Sequence, residues 1–469
     1  MKKIFLTIII MTITLSLASY SLLDTDKGND VGVLNPRAAA MGSANTYSGY
    51  RLFDINTNPA NLSLLKGKIN FQLNHALTKN SDDRSLPMYD SFDGYAGQAT
   101  YVSNAHFFSE YSGGISYCHQ LENINLAAAF MYKPVINFDA EYEEEVRNNE
   151  NSDNNNYPPV IADNYITSEG QIHSLAFLTS MQYNDFMSFG LEFSQLSGDA
   201  QMEKELIWTD LAQTVTSDSL SNQYFEIDRD FSGFQIKAGA NIKLSPHFGF
   251  GFSMSPKTEL DVTGQINDTD FDEAFFYNDT LIVEQDTTNI DTTITTHYYD
   301  EKYDPYIIPM KFRLGGSYRP RNIMRTNFNF DIEYVKWSDI DELYDDALNF
   351  YLGIEHKIKN TIPLRFGFNY KTDYQKIDID NSYYVNKITM PTFTIGSGFK
   401  FMEKFTFDIS CEYSHREYET LDLFPDAAYD YQELWVNYQY LNLESRGWEN
   451  PDTVNENFLK FKTALSYHW

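Results

Sequence analysis

The side chains able to do chemistry are scattered along this chain. Five of the nine histidines, His75, His106, His119, His173 and His356, stand singly in segments with a strand-like pattern. A zinc hydrolase of the common helical type needs two His four apart with a Glu beside the first, and no His-Glu-x-x-His occurs. Nor is there a Gly-x-Ser-x-Gly elbow for acyl transfer. Cys118 and Cys411 lie far apart, in segments that read as strands, and suit neither a disulfide framework nor a zinc set. Asp331, Glu333, Arg365 and Lys400 alternate with apolar neighbours, which places them on the polar faces of their segments. Acids and bases arranged so are expected to pair with one another across an enclosed interior and to hold something inside it. No enzyme, cofactor or metal site is expected.

The elements carrying these residues repeat one theme from residue 68 onward. In 404–414, Phe405, Phe407, Ile409, Cys411 and Tyr413 share one face, and Thr406, Asp408, Ser410, Glu412 and Ser414 share the other. The same alternation runs through 326–335, 363–371 and 392–401. Period two marks a strand whose faces meet different media. A soluble β-sandwich would show it too. Three features point instead to an all-β transmembrane antiparallel β-barrel. The strands number about fourteen, the even count expected of such barrels, and no helical segments partner them. Aromatics reach 16%, with 34 Tyr and 35 Phe, although the mean hydropathy is that of a soluble protein. A barrel produces this combination because half of each strand faces lipid and aromatics gather at both interfaces. Finally, the chain ends on a strand. Fifteen segments carry the pattern, with 94–108 and 110–120 the pair whose separation is least defined.

The two ends add location. Lys2 and Lys3, the apolar run Ile4 to Leu17 and Ser19-Tyr20-Ser21 form a secretory signal, so residues 1–21 are expected to be removed. No later apolar run reaches 18 residues, which excludes a helical membrane protein. In the last strand Phe461, Leu465, Tyr467 and Trp469 lie on one face and end in an aromatic, an expected insertion signal for barrel-assembly machinery. Formal net charge is −31, which argues against nucleic acid. Much of the acid lies in three inserts, 140–168, 265–305 and 419–455, expected as long extracellular loops; the last also holds Trp435 and Trp448.

Residues 22–67 do not alternate. They hold Asn35-Pro36-Arg37 and Met41-Gly42-Ser43-Ala44, then Asn58-Pro59-Ala60. Small residues and an Asn-Pro turn suit a compact segment folded inside something, with Ala60 to Leu65 as a short helix. Arg-x-x-x-Met-Gly-x-Ala, then Asn-Pro-Ala, then a first strand after Lys66-Gly67 resembles the FadL-type outer-membrane fatty-acid and hydrocarbon transporters. It also resembles the PorV/PorQ-like barrels of the type IX secretion system. Pro309 to Pro320, Asp331 to Ser338 and Pro363-Leu364-Arg365-Phe366-Gly367 extend the likeness over nearly the whole mature chain. Position 43 is Ser where a second Gly is common in that family.

The resemblance implies a fourteen-stranded barrel, 68–469, with an N-terminal hatch, 22–67. It maps Arg37, Gly42, Asn58, Pro59 and Ala60 to that hatch. It also implies a monomer in the outer membrane of a diderm bacterium, with membrane lipid and a hydrophobic small molecule as partners. Such a ligand would pass above the hatch and leave sideways, keeping its apolar surface out of water. The PorV-like alternative is a barrel that docks exported proteins.

Overall fold

The computed structural model describes residues 21–469 except 26, 93, 148–158, 216–219, 270–294, 299–303, 324, 359–361, 380–381, 425–447 and 449–450. The expected leader, apart from Ser21, and Trp435 thus lie outside the described residues.

Fourteen strands close a ring. They are β1 (Ile69–Tyr89), β2 (Tyr95–Gln120), β3 (Ile124–Asn137, continued by Ala140–Arg147), β4 (Val160–Tyr183), β5 (Met187–Trp208), β6 (Gln223–Lys243) and β7 (Phe248–Ser255, continued by Thr258–Thr269). The second half comprises β8 (Tyr306–Ile308 and Lys311–Tyr318), β9 (Asn327–Val335), β10 (Ala347–Ile358), β11 (Ile362–Ile379), β12 (Ser382–Phe401), β13 (Phe405–Thr420) and β14 (Asp452–His468). Every neighbouring pair is antiparallel, and β14 returns to β1 from Thr453↔Ser85 to His468↔Asn70. Trp469 completes that seam, its N–H donating to Ile69 O at 2.9 Å. The segments 94–108 and 110–120 are one strand, β2, which resolves the count to fourteen. Nothing between them, neither Pro nor a turn-forming pair, interrupts the alternation.

The faces are inverted relative to a soluble protein. On β9, Phe330 is 43% exposed and Ile332 40%, while Asp331 between them is 2% exposed. The same holds on β13, where Thr406, Asp408 and Ser410 are buried and Ile409 and Tyr413 are exposed. Around the ring the outward apolar residues form one belt: Phe71 and Leu73 on β1, Phe189, Leu191 and Phe193 on β5, Phe393, Ile395 and Phe399 on β12. A belt a few outward residues deep matches the apolar height of a membrane barrel. Beyond Phe193 the outward residues of β5 become polar, Gln195, Ser197, Asp199, Gln201, so the long strands rise past the belt.

Two inserts expected as loops are partly strand, which corrects the reading from composition. Ala140–Arg147 pairs with Ser168 to Val160 of β4, and Gln265 to Thr269 still pair as β7, partly with Thr295–Tyr298. Acidic composition does not forbid strands that stand clear of the membrane, because both faces there can be wetted or covered by neighbours. The ends of 419–455 likewise belong to β13 and β14.

The N-terminal segment lies inside the ring. Residues 34–67 sit at the end where the strands are joined by short turns, and the described residues of 22–33 run along the lumen to the other end, where Leu22 packs against the cluster of Tyr142, Trp208 and Phe424. The segment holds a helical turn (Pro36–Ala39) and three 3-10 turns (Leu22–Asp24, Leu52–Asn56 and Pro59–Leu64). Asn35 and Asn58 each cap the turn that follows, accepting from the backbone N–H two residues on, with Pro at the first helical position. Barrel glycines make room for it. A Cβ on Gly367 would lie 1.9 Å from Gly42 N, and one on Gly190 2.4 Å from Ala60 N. Gly42 itself has φ +60°, and a Cβ there would lie 2.4 Å from Leu352 O.

Candidate functional site

The charged residues of the polar faces do pair across the interior, and they hold the N-terminal segment. Arg37 is 2% exposed. Its Nε lies 3.2 Å from Glu355 of β10, and its guanidinium stacks 3.8 Å from the Tyr50 ring centroid. Glu355 also pairs with Arg365 of β11 at 2.7 Å, and Arg365 reaches Asp408 of β13 at 2.8 Å. Asp408 in turn holds Arg51 of the segment at 2.6 Å. Two arginines from the segment, one from the wall and two wall carboxylates thus form one continuous network. Asp331 accepts from the backbone N–H of Asn45 and Thr46 at 2.8 and 3.0 Å and pairs with Arg313 at 2.9 Å. Glu333 lies 3.5 Å from Arg313. Lys400 is the exception: it is exposed near the short-turn end, where β12 has left the enclosed interior.

The other mapped residues are brought to the same place. Asn58 donates to Thr46 O at 2.8 Å and to Asn241 Oδ1 of β6 at 2.9 Å. Ser188 of β5 donates to Ala60 O at 3.1 Å. The expected helix at 60–65 is the 3-10 turn Pro59–Leu64.

The single histidines are wall side chains, as their isolation suggested. His75 stacks on Tyr111 and His173 on Tyr132, while His106 pairs with Glu141 at 3.0 Å. Cys118 is buried and faces inward, and Cys411 is half-buried on the outward face.

Beyond residues 34–67 lies a cavity of about 840 Å³. Its wall is mixed, and the start of the N-terminal segment forms part of it. Asp30 of the segment with Lys311 and Lys371 lines one part, whereas Leu22 of the segment with Ile166, Met202 and Leu423 lines the part toward the long strand ends. Asp30 carries a carboxyl that burial would push up, but Lys311 and Lys371 outweigh that and hold it well below the usual carboxylate range. Trp337, Ile340 and Tyr344, from the β9–β10 connection, also line it. Trp337, Tyr344 and Tyr374 contact one another ring to ring, and Lys27 lies 5.6 Å from the Trp337 centroid.

One wall seam is interrupted beside this cavity. β2 and β3 pair from Gln120↔Asn125 to Gly113↔Tyr132 and then part. Next on β3 come Lys133 and Pro134, and Pro134 has no N–H to donate to a ladder. The β3–β4 register is irregular between Pro134 and Ile136, as a bulge makes it. The strand bends inward, and Lys133, Pro134 and Ile136 to Phe138 are all buried. Its freed edge is taken by the N-terminal segment. Asn29 and Asp30 pair with Asn137 and Ile136, and Val31 N–H donates to Val135 O at 3.0 Å. The two walls meet again where Asn104 and His106 touch Glu143 and Glu141 and Val102 packs with Tyr142 and Val146. Across the parted stretch, Asn137 Nδ2 lies 3.5 Å from Glu110 Oε1. Sequence reasoning missed this feature, although a Pro inside an otherwise regular strand was its signal.

A closed antiparallel ring with an apolar belt outside, a polar interior and its own residues 22–67 inside the lumen defines the outer-membrane type of β-barrel. The chain belongs to the outer membrane protein transport protein family (OMPP1/FadL/TodX), whose model matches residues 33–439. Among solved structures, a FadL homologue of Pseudomonas aeruginosa superposes with a TM-score of 0.56 at 11% identity, covering 94% of this chain and 99% of that one. The Ralstonia pickettii toluene transporter TbuX gives 0.53 at 12%, and the P. putida toluene transporter TodX gives 0.52 at 12%, both with the same coverage. At such identities these likenesses speak for the fold. No curated protein matches.

Proposed function

We propose that this protein takes up small hydrophobic molecules, such as long-chain fatty acids, passively across the outer membrane of a diderm bacterium, as a monomer. Residues 22–67 act as a hatch that blocks the straight aqueous path. The ligand rests in the cavity above the hatch and leaves sideways between β2 and β3. The observation that carries this reading is the parting of that seam, where β3 turns inward at Pro134 and surrenders its edge to Asn29–Val31. A lateral way out keeps an apolar molecule from crossing water, which conserves roughly 25 cal/mol for each Å² kept covered. The mixed wall fits the same reading, since a lumen for ions alone has no use for Ile166, Met202 and Leu423. On the outward face of β14, Phe461, Leu465, Tyr467 and Trp469 serve as the assembly signal.

The test is organic extraction and native mass spectrometry of detergent-purified protein, paired with uptake of a labelled fatty acid by cells with and without the gene. A bound apolar molecule and an uptake defect are the expected results. Exported surface proteins co-purifying from cells whose uptake is intact would replace this reading with the PorV-like docking role.

A further inference from the structure

A second seam opens in the wall, and the prolines around it explain how. β6 pairs with the first part of β7 from Lys243↔Gly249 to Ala238↔Met254, and with the second part from Ser232↔Asp261 onward. Between these stretches Gly233 to Lys237 on β6 face Ser255 to Leu260 on β7 with no strand register. On its other edge β7 keeps its register with β8 throughout, from Tyr318↔Phe248 to Lys311↔Ser255 and on through Thr258↔Ile308 to Leu260↔Tyr306. Pro256 on β7 and Pro309 on β8 sit at the bend, each lacking the N–H a continuous ladder needs. On the outer face Phe234 is 77% exposed, against 49% for Phe193 and Ile236 beside it. On the inner face Gln235, Lys237 and Ser255 line the lumen cavity. Across the seam Gln235 Nε2 lies 3.4 Å from Thr258 Oγ1, and at its rim-side end Leu260 covers Gly233 from inside.

Its height is informative. Phe234 and Ile236 are among the last apolar outward residues of β6, followed toward the rim by Ser232 and Asp230. Across the seam Lys257 and Glu259 face out as an ion pair at 2.8 Å. The interruption therefore sits where acyl chains give way to headgroups on the long-loop side. At that depth an open strand edge persists only where it is covered by protein or borders a water-filled cavity, and here it borders the lumen.

We propose that the β6–β7 seam is a second lateral port, which admits single-chain amphiphiles from the outer leaflet into the lumen. The chain slides in past Phe234 and Ile236, and the polar head crosses between Gln235 and Thr258, whose contact breaks to let it through. This rests on the uptake reading above, but it adds a path of ingress separate from the β2–β3 way out and needing no passage through solvent above the rim.

The experiment compares three disulfide-stapled double variants in liposomes, following transfer of pyrene-decanol from the bilayer to albumin enclosed with the short-turn side. Gln235→Cys with Thr258→Cys staples the new port. Glu110→Cys with Asn137→Cys staples the β2–β3 seam. Phe330→Cys with Leu352→Cys, on the continuous β9–β10 seam, is the control. The port staple is expected to slow transfer several-fold, reversibly with reductant, while the control does nothing. If the port staple transfers as fast as the control but the β2–β3 staple blocks, the second port is refuted and the uptake reading stands. If neither blocks, both fall. Should the port staple not assemble, a photo-reactive benzoylphenylalanine at position 235 replaces it. Irradiation in membranes should attach lipid there but not at inward Ser410 on a continuous seam, and no adduct at 235 would overturn the proposal.

Discussion

Glu355 joins Arg37 of the N-terminal segment to Arg365 of the wall, as Asp408 joins Arg51 to the same arginine. Glu355→Ala leaves two buried guanidinium groups short of a partner. Breaking a buried pair by removing one side costs about 3–5 kcal/mol. The expected result is an earlier unfolding midpoint in denaturant and a protease-sensitive N-terminal segment, while Glu355→Gln is milder. Asp30 gives a pH expectation. Its folded carboxyl is held low by Lys311 and Lys371, so its contribution is fully present above the unfolded value near ~3.9. That contribution is lost only as pH falls below that value toward the folded one. Proteolysis of the segment should therefore be flat from pH 8 to about 5, and Asp30→Asn should raise it throughout. At this scale the sequence showed the type of chemistry but not the partners. Asp331, Glu333 and Arg365 were legible as inward ions from parity alone. That Arg365 meets Glu355 and Asp408 depends on register between strands, which no single strand encodes. Lys400 obeyed the same parity, yet it sits where the interior has ended.

The elements were legible wherever one medium faced each side of a strand, because period two then has a cause. They were less legible where that cause lapses. Above the belt the strands of β3, β4 and β7 continue into acidic stretches, since pairing there no longer needs an apolar face, and composition alone made loops of them. The bend in β3 is the instructive case. Its alternation continues through 124–137, but Pro134 removes one ladder donor and the strand leaves its neighbour. Pro134→Val should let pairing with β2 extend past Tyr132 and narrow the parting. The expected outcome is slower fatty-acid uptake with unchanged barrel assembly, read by labelled uptake beside heat-modifiable gel mobility. Equal uptake would show that the parting does not limit transport. Docking of the N-terminal segment has its own element-scale test. Gly42 combines φ +60° with carbonyls at 2.4 and 2.5 Å from any Cβ. Gly42→Val should cost on the order of 1–3 kcal/mol in backbone strain alone and expose the segment to protease while leaving the ring closed.

For the whole molecule, everything rests on which face meets lipid. The interior is filled by residues 22–67 and by paired charge, so burial there resembles that of a soluble core turned polar. The outside carries the apolar belt, and aromatic enrichment in the sequence had already pointed to it. This orientation makes a quantitative demand. Phe330 sits mid-belt on β9 between Phe328 and Ile332, and all three are exposed. An arginine there must enter hydrocarbon, at a cost of about 2–4 kcal/mol near the midplane. Asp230 also faces outward, but above the belt on β6, and an arginine there should cost about 0–1 kcal/mol. Reversible urea unfolding of Phe330→Arg and Asp230→Arg in lipid vesicles reads the difference directly. In detergent micelles, which deform around a charge, the gap between the two should shrink. If both variants unfold alike in vesicles, the belt is not in acyl chains. The inward polar faces would then be the core of some other assembly, and neither lateral seam could open to a membrane.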